Sequence, residues 1–219
     1  MKLTNILFDL DGTLIDSRLG IFNCFKHAFF IMGKRIPSDA ELCKVIGPPL
    51  DKTFREDFGL TEEEAIFALK TYRERYAVKG VLECEPIAGA EEILSRLHKA
   101  GYTVMLATSK PEPYAKSILE NLGWSGYFDV VCGSDFEVSL KTKADVIEEA
   151  LRRAFVVNRS SCAIVGDRKF DVAGGKKCSL VTVGVKTGFA EPGELEGSGA
   201  SFVAENFEQV WNFIRKSGE

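Results

Sequence analysis

Two aspartates, Asp9 and Asp11, stand two residues apart at the end of a short apolar run and are followed by Gly12 and Thr13. Alternate residues of a strand point to the same side. The pattern therefore predicts two carboxyl groups set together where a buried strand runs out. Such groups repel each other unless a cation or a shared proton intervenes. A hard divalent metal, joined to a nucleophilic or acid/base role, answers that repulsion. An Asp-Gly turn or a calcium loop gives similar residues. A calcium loop, however, has a helix ahead of it and further ligands within about twelve residues, and this sequence has neither.

Three further clusters each follow or flank an apolar run. Thr108-Ser109-Lys110 comes after Val104–Ala107. Its hydroxyls could donate to a phosphate oxygen, or they could cap a helix that has Pro111 in its first turn. A helix N-terminus is itself an anion site, so both can hold. Lys141 and Lys143 open a helical pattern over Ala144–Phe155. Cations there oppose the helix dipole, which points to an anionic partner unless both are solvated. Gly166-Asp167-Arg168-Lys169-Phe170-Asp171 follows Ala163–Val165. Asp167 falls at a strand end, and Asp171 lies one helical turn further on. N-capping and an ion pair with Arg168 or Lys169 would explain the same residues. In open α/β sheets ligands bind beyond the carboxyl ends of the strands. Carboxylates, hydroxyls and ammonium groups gathered at that edge suit a hard cation and a phosphate together.

The elements that must position these groups follow from periodicity. Apolar runs recur at Ile6–Leu10, Val104–Thr108, Val130–Gly133, Ala163–Asp167 and Leu180–Val185. They do not alternate, so they read as strands buried on both faces, as in a parallel sheet. Helical patterns at Ala90–Ala100 and Ala144–Phe155 lie between the later ones. This argues for an α/β layered core. Residues 15–86 differ. They read as consecutive helices, with capping boxes at Ser38–Glu41 and Thr61–Glu64, and with Ile66, Leu69, Tyr72 and Tyr76 on one face. Such a stretch is too long for an ordinary connection, so it reads as an inserted helical domain. Pro48 and Pro49 make Ile46–Leu50 a rigid turn. Gly193–Gly199 reads as a surface loop.

The 219 residues carry a net charge of −4 and are 45% hydrophobic. That excludes the strongly basic face expected of a nucleic-acid binder. No apolar run approaches the roughly 18 residues of a membrane span. The six cysteines, at 24, 43, 84, 132, 162 and 178, form no C-x-x-C pair and have no histidine nearby. Zinc spacings are thus excluded, and reduced thiols in a cytoplasmic protein are expected. No basic segment followed by an apolar stretch and cleavage site is seen at the N-terminus.

Taken together, these residues resemble the haloacid dehalogenase-like superfamily of hydrolases. Asp9-Leu10-Asp11-Gly12-Thr13 matches its first motif and Thr108 its second. A lysine near 143 matches the third, and Gly166-Asp167 with Asp171 the fourth. The Gly47-Pro48-Pro49 turn and Thr108-Ser109-Lys110-Pro111 look most like the phosphoglycolate phosphatase-like branch. The resemblance implies an α/β fold with a Rossmann-like parallel-sheet core, 1–14 and 87–219, and an inserted all-helical cap, 15–86.

It also implies roles. Asp9 would be the nucleophile that forms an aspartyl-phosphate, and Asp11 the general acid and then base. Mg²⁺ would be held by Asp9, the Asp11 carbonyl and Asp167, with Asp171 in support. Thr108, Ser109 and Lys143 would bind the phosphoryl group. The third motif usually reads Lys-Pro; here Lys141 competes with Lys143, which is preferred. The implied partner is a small phosphorylated metabolite, phosphoglycolate-like or a nucleotide, for a monomer or homodimer with no nucleic acid and no membrane. A mutase resembling β-phosphoglucomutase is the alternative. Its cap supplies a histidine soon after the first motif, where this chain has Gly20, and His27 comes later. Dehalogenases of the family lack the second aspartate, so Asp11 separates the reactions. Lys52 and Arg55 read as solvated helix charges.

Overall fold

The computed structural model describes residues 2–43, 50–135 and 142–217. The chain divides into two compact units, Met1–Asp16 with Pro86–Glu219, and Ser17–Glu85. The sequence pattern put the helical segment at 15–86.

In the first unit β1 (Asn5–Phe8) is a short apolar strand whose Ile6, Leu7 and Phe8 are fully buried. Burial on both faces places it at the centre of a sheet. After it come β2 (Ile15–Asp16), α1 (Arg18–Ile31), α2 (Asp39–Cys43), α3 (Leu50–Lys52), α4 (Glu62–Val78) and β3 (Glu85–Pro86). The first unit then continues with α5 (Ala90–Lys99), β4 (Thr103–Pro111), α6 (Glu112–Asn121), β5 (Val130–Ser134) and α7 (Lys143–Arg153). It ends with β6 (Cys162–Gly166), α8 (Lys169–Lys177), β7 (Val181–Val185), α9 (Glu194–Gly197), β8 (Phe202–Ala204) and α10 (Phe207–Lys216).

Six strands form one sheet in the order β5-β4-β1-β6-β7-β8. Neighbouring strands pair in parallel throughout, with Asn5 opposite both Thr103 and Cys162. The chain winds outward from β1 in both directions. That reversal puts a crevice at the carboxyl ends of β1, β4 and β6, the ligand position of doubly wound folds. All strands share a direction, so every residue just past a strand emerges on one edge.

The core beneath that edge contains Leu7, Met105, Ile147, Leu151 and Ile164, each almost wholly buried. Close-packed interiors collapse only partly around a deletion. Ile164→Ala is expected to cost about 2–5 kcal/mol, read as a lowered urea midpoint with an unchanged slope.

Three details depart from the sequence reading. The run read as Val104–Thr108 continues to Pro111, and its register with β5 shifts between Ala107 and Pro111. Thr108-Ser109-Lys110 thus lies within an irregular strand end rather than capping α6, whose N-cap is Pro111. The Gly193–Gly199 segment contains α9, with Leu195 buried. The edge strand β8 was missed because three residues carry too little pattern to announce a strand.

The second unit is helical. Thr61 and Glu64 complete the expected capping box of α4. The buried stripe of that helix is Ala65, Ala68, Tyr72 and Tyr76; Ile66, read as part of the apolar face, is exposed instead. Phe25 packs its ring 5.0 Å from Phe54 and 5.2 Å from Tyr72. Phe29 and Phe58 are 5.0 Å apart. Aromatic rings at such spacings attract beyond their area of burial. Arg75 pairs with Glu83 at 2.8 Å. Residues 46–49 of the expected Gly-Pro-Pro turn lie outside the described residues.

Candidate active site

β1 stops at Phe8, and the Asp9 amide still donates to the Val165 carbonyl at 2.9 Å. Asp9 is therefore held at the strand end. The chain then turns, with the Leu14 and Ile15 amides donating back to the Leu10 carbonyl. Gly12 sits at φ +79°, and a Cβ there would lie 2.3 Å from Asp167 Oδ2. Only glycine permits both the left-handed backbone and this approach.

Lys143 is the first residue of α7, held by a capping box between Thr142 and Asp145. Its ammonium lies 2.7 Å from Asp9 Oδ1 and 2.9 Å from Asp171 Oδ1. It also donates to the Ala107 carbonyl at 3.2 Å. A cation at this helix terminus is thus paired twice with carboxylates, which resolves its mismatch with the dipole. Lys141, the competing lysine, lies outside the described residues.

Asp167 follows β6 and is fully buried. One oxygen accepts from Thr13 Oγ1 at 3.0 Å and the other from the Phe189 amide at 2.7 Å. Asp171, in the first turn of α8, accepts from the Arg168 amide at 3.1 Å. The capping alternative and the convergence of carboxylates therefore hold together. Arg168 pairs with Glu194, a partner absent from the sequence reading. Carboxylate oxygens of Asp9, Asp167 and Asp171 lie within 4.8 Å of one another.

Asp11 stands apart from that trio. Its Oδ1 is 3.0 Å from Lys110 Nζ, and the lysine side chain is only 7% exposed. The two aspartates thus face different cations, because the strand ends at Phe8 and the turn redirects Asp11. Thr108 is buried, and its Oγ1 accepts from the Lys110 amide at 3.2 Å. Ser109 is exposed, and its carbonyl accepts from Ser134 Oγ at 2.8 Å.

Burial dominates the electrostatics. It raises Asp9 to about 6, with Lys143 pulling the other way and Asp171 adding to the rise. It raises Asp167 to about 7, helped by the charges of Asp171 and Asp9. Burial also opposes the charge on Lys143, but Asp171 and Asp9 outweigh it and hold that ammonium above its ordinary range. When all are ionised, three carboxylates face one ammonium. Asp171 Oδ1 is buried, and the ammonium beside it is shared with Asp9. An all-oxygen donor set with surplus negative charge fits a hard divalent cation.

Lys110, Thr13, Phe189 and Glu194 were not singled out in the sequence as site residues. Lys110 and Thr13 lie inside the quoted motifs but were given no role there. The Phe189 contact is made by a backbone amide, which leaves no side-chain signature.

The sequence profile of the haloacid dehalogenase-like hydrolases matches residues 6–185. The chain belongs to this family. A 5′-nucleotidase of Pseudomonas aeruginosa is 34% identical, over 89% of this chain and 88% of that one. The tyrosine-protein kinase PtkA of Mycobacterium tuberculosis is also 34% identical, over 90% of this chain and 67% of its own length. A haloacid dehalogenase-like family hydrolase from Streptococcus pneumoniae superposes with a TM-score of 0.88 at 30% identity, covering 97% of this chain and 98% of that one. The family match and the nucleotidase relative together make the chain a phosphoric monoester hydrolase. Asp9, Asp11, Thr108, Lys143, Asp167 and Asp171 all lie within the matched residues, whereas Phe189 and Glu194 lie past them. No helix among the described residues is long and apolar enough to cross a membrane.

Proposed function

We propose that this hydrolase cleaves small phosphomonoesters, phosphoglycolate-like or nucleotide, through an aspartyl-phosphate on Asp9. One observation carries the reading: Lys143 bridges Asp9 and Asp171 at the edge of a three-carboxylate cluster. A carboxylate attacking an anionic phosphate must overcome charge repulsion, and offsetting it is the main lever of phosphoryl transfer. Mg²⁺ held by Asp9, the Asp11 carbonyl and Asp167, with Asp171 beside it, would supply positive charge at that point.

The chain's own residues divide the work. Asp9 Oδ attacks phosphorus, and the bond to the ester oxygen breaks. Asp11 gives that oxygen its proton and then takes one from the water that releases inorganic phosphate and restores Asp9. Lys143 and Thr108 hold the phosphoryl oxygens, and Ser109 lines the same strand end. Lys110 keeps the Asp11 carboxylate oriented between turnovers. The helical residues 15–86 act as the cap that selects the substrate. The nucleotidase and kinase relatives share transfer of a phosphoryl group and differ in its acceptor. Water as acceptor requires phosphate to appear in solution.

The test is phosphate release across phosphoglycolate, nucleoside monophosphates, sugar phosphates and pyrophosphate, with Mg²⁺ and with EDTA. Release that depends on Mg²⁺ is expected for at least one monoester. Release untouched by EDTA, or none across the panel, contradicts the proposal.

A further inference from the structure

Residues 188–194 lie beyond the part of the chain that matches the family, yet they grip the loop from Asp167 to Asp171 at two points. The Phe189 amide donates to Asp167 Oδ2 at 2.7 Å. Gly188 lies so close that a Cβ would sit 2.2 Å from that oxygen and 2.2 Å from the Gly12 carbonyl oxygen. Thr187 Oγ1 donates to that same carbonyl at 3.1 Å. Further on, Glu194 Oε1 accepts from Arg168 Nε and from the Lys169 amide, each at 2.8 Å. The Glu194 side chain is only 7% exposed. The Arg168 amide in turn reaches Asp171 Oδ2.

We propose that Glu194 is a positioning residue for the cation site. It fixes the main chain between Asp167 and Asp171 so that both carboxylates converge on one point, while Phe189 orients Asp167. This rests on the Mg²⁺ reading given above. A carboxylate is costly to bury unless it is paired. Glu194 Oε2 also accepts from the Glu191 amide within its own turn, but at 3.4 Å, whereas both 2.8 Å contacts go to Arg168 and Lys169. The pairing is charge-assisted on one side and tied to a backbone amide on the other, a geometry that leaves the loop little freedom. Partners behind metal ligands typically set affinity by 10–100-fold.

The experiment titrates Mg²⁺ alone into the full chain by calorimetry, with thermal unfolding followed in parallel. Glu194→Ala is expected to weaken Mg²⁺ binding about tenfold and to shrink the Mg²⁺-induced rise in Tm. Glu194→Gln keeps an acceptor for the Lys169 amide and should fall between Ala and wild type. Glu196→Ala, a half-exposed neighbour on α9 paired with Lys186, should bind as wild type does. A folded Glu194→Ala chain that binds Mg²⁺ within about twofold of wild type overturns the proposal. Should the alanine variant fail to fold, Glu194→Gln decides by the same criterion. A wild-type chain that takes up no Mg²⁺ overturns the cation reading and this inference with it.

Discussion

Asp9→Asn is expected to lower turnover by roughly 10⁴-fold or more and to leave the protein folded. An amide oxygen does not attack phosphorus as a carboxylate does, so no covalent intermediate forms. Asp11→Asn removes a proton carrier instead, and its loss of about 10²–10⁴-fold should depend on the leaving group. An aryl phosphate, whose phenolate leaves readily, should suffer less in the first step than an alkyl phosphate. Equal losses on both substrates would count against Asp11 as the general acid. Stability moves the other way for Asp9. Its folded pKa, about 6, lies above its ordinary 3.8. A raised carboxyl pKa means that the folded state binds the extra proton, so stability falls as pH rises through that window. Asparagine carries no such charge. At pH 7.5 without Mg²⁺, the Tm of Asp9→Asn is therefore expected at or above wild type. A variant that is inactive because it is unfolded would refute this account, and circular dichroism separates the two.

Lys143→Met should damage both properties. Methionine fills much of the space of the lysine stem but leaves Asp9 and Asp171 without their shared ammonium. Breaking a buried pair by removing one partner costs about 3–5 kcal/mol. Removing a positioned cation from the transferring phosphoryl group costs about 10²–10³-fold in turnover. Added Mg²⁺ should raise the Tm of this variant more than that of wild type, because the unopposed carboxylates then carry more charge for the cation to offset. Lys143→Arg is not expected to rescue turnover. The lysine stem runs past Gly174, where even a Cβ would lie 2.8 Å from Lys143 Cγ, and a planar guanidinium has a different shape. A Mg²⁺ response equal to wild type, or full activity in the arginine variant, would remove Lys143 from the site.

Much of this arrangement was legible in the residues. The central strands announce themselves because Ile6, Leu7, Phe8 and Ala163–Val165 are apolar without alternation, which demands burial on both faces. Asp9 and Asp167 stood out as charges at the end of a buried run, Asp171 as a carboxylate one helical turn beyond Asp167, and Lys143 as a cation set against a helix dipole. What stayed hidden depends on contacts distant in sequence. Glu194 sits in a stretch rich in glycine and glutamate, the composition of a surface loop, and only its meeting with Arg168 makes it buried. Asp9 and Asp11 were read as one pair from strand periodicity. The strand stops one residue before Asp9, and the turn that Gly12 allows sends the two carboxylates to separate lysines. Ile66 misled for another reason: α4 buries small residues, Ala65 and Ala68, against its neighbours, and periodicity weighted by size overlooks alanine.

The hydrogen bonds that fix Asp167 tie together distant parts of the polypeptide: Thr13 reaches it across 154 positions, and Thr187 reaches Gly12 across 175. Closing such long loops is slow and comes late, because the entropy is lost before the contacts form. Asp9 precedes Phe189 by 180 positions in the chain. Until Phe189 is made, Thr13 can hold one oxygen of Asp167 but the other lacks its amide donor. The full set of contacts around Asp167 can therefore form only once the chain has been made through Phe189.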